Sequence, residues 1–397
     1  MVQERADLGI NLISRPIPAD AVALRSNGAI VKVERARRVD RSSMSVDAGS
    51  ALSVCAWAAA ATALGVAVAA YARNCPYQDE WSLVPQATWK PLRLAWLWYE
   101  HGEHRMPLVR LSLVGLYRGV ADFRAGPWLN VAVLAIAALR ATRRWGGFAP
   151  VLLLLSMAHW DNIVSGWQFQ FTLSAALALE AAAGARWPLY LLPLCGANGV
   201  LLCIPLALHC RAWAALLLCA ACWPHAAPPC GGMEEHGLAT RFLGLLGLGF
   251  GTPRLLPASA AAGALCAAVA WRTSLGRAAL LLLAAIALNR PLPASDLTTR
   301  YSLLAALLPI AVYAAGTPRV RCAICVAALI GWAASIGPGL RTAERIADKQ
   351  TALIEDASRG VAADRLAAMH APLLYRPDKA GLFAAWISDL RRAGRLP

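Results

Sequence analysis

Residues 51 to 71, ALSVCAWAAAATALGVAVAAY, contain no charged side chain. Coiled as a helix, such a run is about 30 Å long, the thickness of a bilayer's hydrocarbon core. Apolar runs recur as far as residue 340. In lipid, every backbone N–H and C=O must find its partner within the chain, which favours helices closed on themselves. Apolar residues make up 58% of the chain and charged residues only 15%, against roughly 25% charged in soluble domains. The expected fold class is therefore all-α, a polytopic integral membrane protein.

The basic residues orient the spans. Residues 1–50 are polar and end in VERARRVDR, so they read as a cytoplasmic N-terminal tail, although Met44 could equally begin the chain. The first helix then leaves the cytoplasm. A cleaved signal peptide is the rival reading, but its apolar core is usually only about 7–15 residues. Residues 72–126 form a large outer loop, in which MPLVRLSLVGLYRG reads as an amphipathic helix on the membrane surface. The segments RATRRW (140–145), RTSLGR (272–277) and TPRVR (317–321) are basic and should face the cytoplasm. Between 187 and 223, GANG can break a helix and one piece is too short to cross. The transmembrane domain, residues 51–340, is thus expected to make about 9–11 crossings. Residues 341–397 follow as a charged helical tail on the outer face.

The net charge of +15 finds its explanation in those cytoplasmic loops. No basic stripe interleaved with aromatics lies outside the apolar runs, so no nucleic-acid partner is expected. The 11 cysteines lie mostly inside apolar runs. Cys219/Cys222 and Cys322/Cys325 have the i,i+3 spacing of one helix face and lack a second pair to complete a zinc site. Glu180, the one acid well inside an apolar run, either snorkels to water or serves an intramembrane relay.

The distinctive polar residues gather at the predicted outer helix ends. YQDEW (77–81) carries Asp79 and Glu80, either a solvated loop pair or a carboxylate that works as general base or metal ligand. Adjacent acids point in different directions, and Asp79 is the one expected to reach a site. In HGEHR (101–105), His101 and His104 could share a helix face and bind a divalent cation with Glu103, beside Arg105; the alternative is an interfacial polar turn. HWDNIVSGWQFQ (159–170) brings His159, Trp160, Asp161 and Gln168 together. Tryptophan there is either an interfacial belt or a sugar-stacking surface beside hydrogen-bonding amides. Arg300, followed by Tyr301, either snorkels or offers a guanidinium fork to a lipid phosphate.

In their order, YQDEW, EHGEHRMPLVRL, HWDNIVSGWQFQF, GANG and TTRYSL resemble a group of bacterial polytopic proteins of the GT-C class of membrane glycosyltransferases. The resemblance covers about residues 51 to 340, and LLYRPDKAGLFAAWISDLRRAGRL near the C-terminus fits it too. It implies an enzyme of the bacterial inner membrane with an extracytoplasmic active site. Its donor would be a polyprenyl-phosphate sugar and its acceptor a glycan, lipid or protein. Asp79, with Glu80, would be the catalytic acid group and Arg300 the phosphate contact. Two features depart from the class: the loops after residue 224 carry few polar residues, and the apolar segments are brief and alanine-rich. A transporter or flippase, which needs a polar path through the bilayer, and a non-catalytic scaffold are the other expectations.

Overall fold

The computed structural model describes residues 21–26, 29–34, 48–101, 104–223, 237–250, 256–289, 301–373 and 380–397. Two compact units result, Met1–Asp47 and Ala48–Pro397.

The first unit, within the expected N-terminal tail, carries two strands. Ala21–Ser26 and Ala29–Glu34 pair antiparallel, from Ala21 opposite Glu34 to Ser26 opposite Ala29. Its sequence signal is AVALRS-NG-AIVKVE: Asn-Gly is the residue pair most suited to a two-residue hairpin connection.

Every regular element described in the second unit is a helix. Among the described residues, three helices are long and apolar enough to cross a membrane: Ala48–Tyr71, Ala125–Trp145 and Pro318–Ser358. Shorter apolar helices fill the remainder. Ser302–Ala315 is their axis, with every residue from Ser302 to Tyr313 buried. At 14 residues it is only about 21 Å long. Trp213–Ala221 has nine residues, about 14 Å, well short of a hydrocarbon core.

The apolar run at 148–158 does not form one continuous helix. Its helix covers only Ala149–Leu154, and short turns at Met157–His159, Trp160–Val164 and Gly166–Gln168 follow. Breaking a helix frees backbone carbonyls, which in an apolar interior must be paired again. Polar side chains do so. Asn130 donates to the Ser165 carbonyl at 2.9 Å and accepts from Thr172 at 2.8 Å. Trp332 donates to the Leu155 carbonyl at 3.0 Å. Ser302 donates to the Ala158 carbonyl at 3.0 Å.

The Ala125–Trp145 helix separates two poles of this unit. At its start, Gly126 meets Gly166 and Tyr117. At its end Arg140 grips Glu180 through a two-pronged ion pair, and Arg321 donates to the Trp145 carbonyl at 3.1 Å. RATRRW and TPRVR therefore share a pole, and Glu180 is tied to a guanidinium there.

The Pro318–Ser358 helix has 41 residues, about 60 Å, twice a hydrocarbon thickness. No break falls at residue 340, so the tail begins as a continuation of the last long helix. Beyond that point Gln350 donates to the Cys75 carbonyl at 2.6 Å and Arg73 to Thr351 at 3.0 Å. The Ala380–Arg392 helix folds back so that Phe383 meets Trp81 edge-on at 4.7 Å. The tail thus packs directly on the loop that carries YQDEW.

Candidate functional site

YQDEW forms a short 3-10 turn, Gln78–Leu83. Because that turn advances about three residues per revolution, neighbours in sequence point apart, and Asp79 and Glu80 divide accordingly. Glu80 is 2% exposed. One carboxylate oxygen accepts from the Tyr77 N–H at 3.1 Å and the other from the Tyr117 hydroxyl. Gly166 adds a backbone donor. Burial pushes the Glu80 carboxyl up to about 7, against the opposing pull of these three donors. Burial likewise holds the Tyr117 hydroxyl well above its ordinary value, so it remains a donor. With both oxygens enclosed, Glu80 is a buried joint between the YQDEW turn and residue 166.

Asp79 faces the other way. Its side chain is one-fifth exposed and lies 3.5 Å from His101 Nε2. The His101 ring packs on Trp167, with centroids 4.4 Å apart. His101 and His104 do not share a helix face. Their backbones pair with each other, His101 N–H to the His104 carbonyl at 3.0 Å and the reverse at 3.4 Å. His104 is half-buried as a residue, yet its Nδ1 is shut away from water. Burial first, and then the neighbouring His101, lower its pKa to about 4, so the ring is neutral at physiological pH. Gln170, whose Oε1 is also buried, lies against the same ring and offers it a side-chain hydrogen bond.

Gly196, the first residue of GANG, closes the far side. At φ +107 it adopts a conformation that glycine alone takes easily, and a Cβ there would lie 3.0 Å from Met106 Cγ and 3.3 Å from His104 Cδ2. We expect Gly196→Ala to cost about 1–3 kcal/mol through backbone strain, seen as a lowered Tm in detergent. An unchanged Tm would mean that this backbone adjusts freely.

The other expected site residues fall elsewhere. Arg105 pairs with Glu100 at 2.8 Å and donates to the Ala221 carbonyl at 3.3 Å. His159 is 1% exposed, and both ring nitrogens are engaged, with Ser302 Oγ and the Leu153 carbonyl, each at 2.7 Å. Trp160 is fully buried and edge-on to Tyr71 at 6.2 Å, and Gln168 is buried as well. The structure places these residues at the interior joint of the interrupted segment. Asp161 is half-buried beside them. Tyr301 starts the Ser302–Ala315 helix, edge-on to Phe171 at 6.0 Å. Glu103 and Arg300 lie outside the described residues. Among the described residues no three His, Cys, Asp or Glu side chains form a group able to hold a metal ion, so His101 and His104 gain no third ligand there.

The helix expected on the membrane surface runs from Pro107 to Val120 and buries one face inside the protein. Arg110 belongs to that face. It is 3% exposed and donates to the Trp96 carbonyl at 2.7 Å and to the Tyr99 carbonyl, closing the end of the Leu94–Trp98 helix. Tyr117 lies on the same face and escaped notice for that reason: its spacing from Leu113 and Arg110 marks it as inward only once Arg110 is known to point inward.

Comparison with known proteins finds no family model, no curated protein and no solved structure that matches the chain.

Proposed function

We propose that this chain is a polytopic membrane glycosyltransferase that moves a sugar from a polyprenyl-phosphate carrier to an acceptor outside the cytoplasm. The observation that supports it most is the convergence of Asp79, His101 and Trp167 at one pole, with a carboxylate 3.5 Å from an imidazole that itself packs on an indole. A partly exposed carboxylate is what an acceptor hydroxyl needs as its base. An aromatic wall suits the apolar face of a sugar ring.

In this reading Asp79 takes the acceptor's proton as its oxygen bonds to C1 of the sugar. The C1–O bond to the carrier phosphate breaks, and the phosphate leaves with the electron pair. A single displacement inverts C1. His101 orients Asp79, while Glu80, Tyr117 and Gly166 fix the turn that carries it. Arg300 keeps the phosphate-neutralising role that the resemblance gives it.

The alternative, a transporter or flippase, calls for ionisable groups along a path through the bilayer. At the interrupted segment His159, the one ionisable group among them, and Ser302, Asn130 and Thr172 are engaged with one another or with backbone. That observation favours the enzyme. A strain lacking this protein should accumulate the polyprenyl-phosphate sugar and lose one glycan product. An unaltered profile of lipid-linked sugars would count against the proposal.

A further inference from the structure

At the pole opposite Asp79, a cavity of about 370 Å³ opens between the ends of the Ala125–Trp145 and Phe169–Ala182 helices. Arg140, Arg143, Arg144, Trp145 and Glu180 line it, with small apolar residues at its base. Glu180 is committed to Arg140 through both of its oxygens. Arg143 and Arg144 are exposed and have no carboxylate partner among the described residues. The walls therefore hold three guanidiniums against one carboxylate. Two helix C-termini supply partial negative charge that arginines complement, but this diffuse charge does not fill a cavity of that size.

We infer that this cavity binds the phosphate of an anionic phospholipid headgroup, held by Arg143 and Arg144 with Trp145 against the glycerol end of the lipid. Guanidinium forks match phosphate oxygens in pairs. Basic pockets between membrane helices on the side rich in arginine suit anionic headgroups. Tryptophan is at home at the depth where headgroup meets acyl chain. The alanines at the base, Ala137 and Ala141, leave room for the first carbons of a chain. The ion pair tunes the site: Glu180 cancels one of the three positive charges and keeps Arg140 on the wall. The inference stands apart from sugar transfer, since it concerns the other pole.

The test is native mass spectrometry of the full chain in detergent, titrated separately with phosphatidylglycerol, phosphatidylcholine and inorganic phosphate. Phosphatidylglycerol should be retained in preference to phosphatidylcholine. The double variant Arg143→Gln/Arg144→Gln, altered only at exposed side chains, should weaken that retention about thirty-fold, from roughly five-fold per arginine at a membrane surface. Glu180→Gln should strengthen it several-fold by freeing Arg140, whereas a purely structural role for Glu180 would lower it. Equal retention of the two lipids, or no effect of the double variant, would overturn the inference. Retention of inorganic phosphate with the same mutational pattern and no lipid preference would overturn the lipid as the source of the phosphate.

Discussion

We expect Asp79→Asn to lower the proposed sugar transfer about 10²–10⁴-fold, the usual cost of removing a general base, and to leave the amount of protein in the membrane unchanged. Asparagine keeps the shape of the side chain and its capacity for hydrogen bonds, but cannot take a proton. The fold depends little on this carboxylate. Its contact with His101 is 3.5 Å long, at the outer limit of a hydrogen bond, and an asparagine of the same shape can keep it. The bond that does hold the turn here, Ser82 Oγ to the Asp79 carbonyl at 2.7 Å, uses the backbone and survives the substitution. Transfer from a polyprenyl-phosphate donor, measured in membranes with matched protein levels, reads out the effect. Equal activity in variant and parent would return YQDEW to the status of a solvated loop.

Glu80 predicts the opposite pattern, a large loss of stability. Glu80→Ala leaves the Tyr117 hydroxyl and the Tyr77 and Gly166 N–H groups without their shared acceptor in a buried place. At about 1–3 kcal/mol for each orphaned group, the loss reaches several kcal/mol, enough to deplete the folded protein. Gly166 cannot adapt by accepting a side chain, because a Cβ there would strike the Tyr117 hydroxyl and the Glu80 carboxylate. A pH dependence follows from the same burial. Below about pH 4.3 the carboxyl is protonated in both folded and unfolded chains. Between there and about 7, where the folded group titrates, the unfolded chain ionises first. Glu80 therefore contributes stability at low pH that is lost as pH rises to about 7, with no further change above. His104, lowered to about 4, contributes the reverse slope between about 4 and 6.5. The quantity to measure is thus the difference between parent and Glu80→Gln in denaturant unfolding from pH 5 to 8. The parent's advantage should shrink as pH rises; a constant difference would mean that Glu80 is ionised in the folded protein throughout.

Much of this arrangement was legible in the sequence because it rests on local pattern. Charge-free runs mark the long helices, and GANG marks a break that Gly196 makes with a positive φ. The basic segments 140–145 and 317–321 fall at one pole, as Arg321 and the Trp145 carbonyl show. What stayed hidden depends on long-range partners. HWDNIVSGWQFQ has the composition of a wet outer rim, yet His159 finds Ser302, 143 residues away. Polar side chains that mend an interrupted helix look, in one dimension, like those that greet a substrate. That the adjacent acids Asp79 and Glu80 point apart was legible; that the Tyr117 hydroxyl, 37 residues on, helps to enclose Glu80 was not. The hairpin at 21–34 was within reach, because Asn-Gly between two alternating runs is a local signal.

The central claim is that the Asp79 pole transfers sugar from a lipid phosphate. Its most direct test gives purified full-length protein in nanodiscs a polyprenyl-phosphate sugar labelled in the sugar, and follows release of the label from the lipid. The account predicts that an extract containing the acceptor drives label off the lipid with wild-type protein, and about 10²–10⁴-fold more slowly with Asp79→Asn. Label that stays on the lipid in both cases, or leaves it equally fast in both, would contradict it.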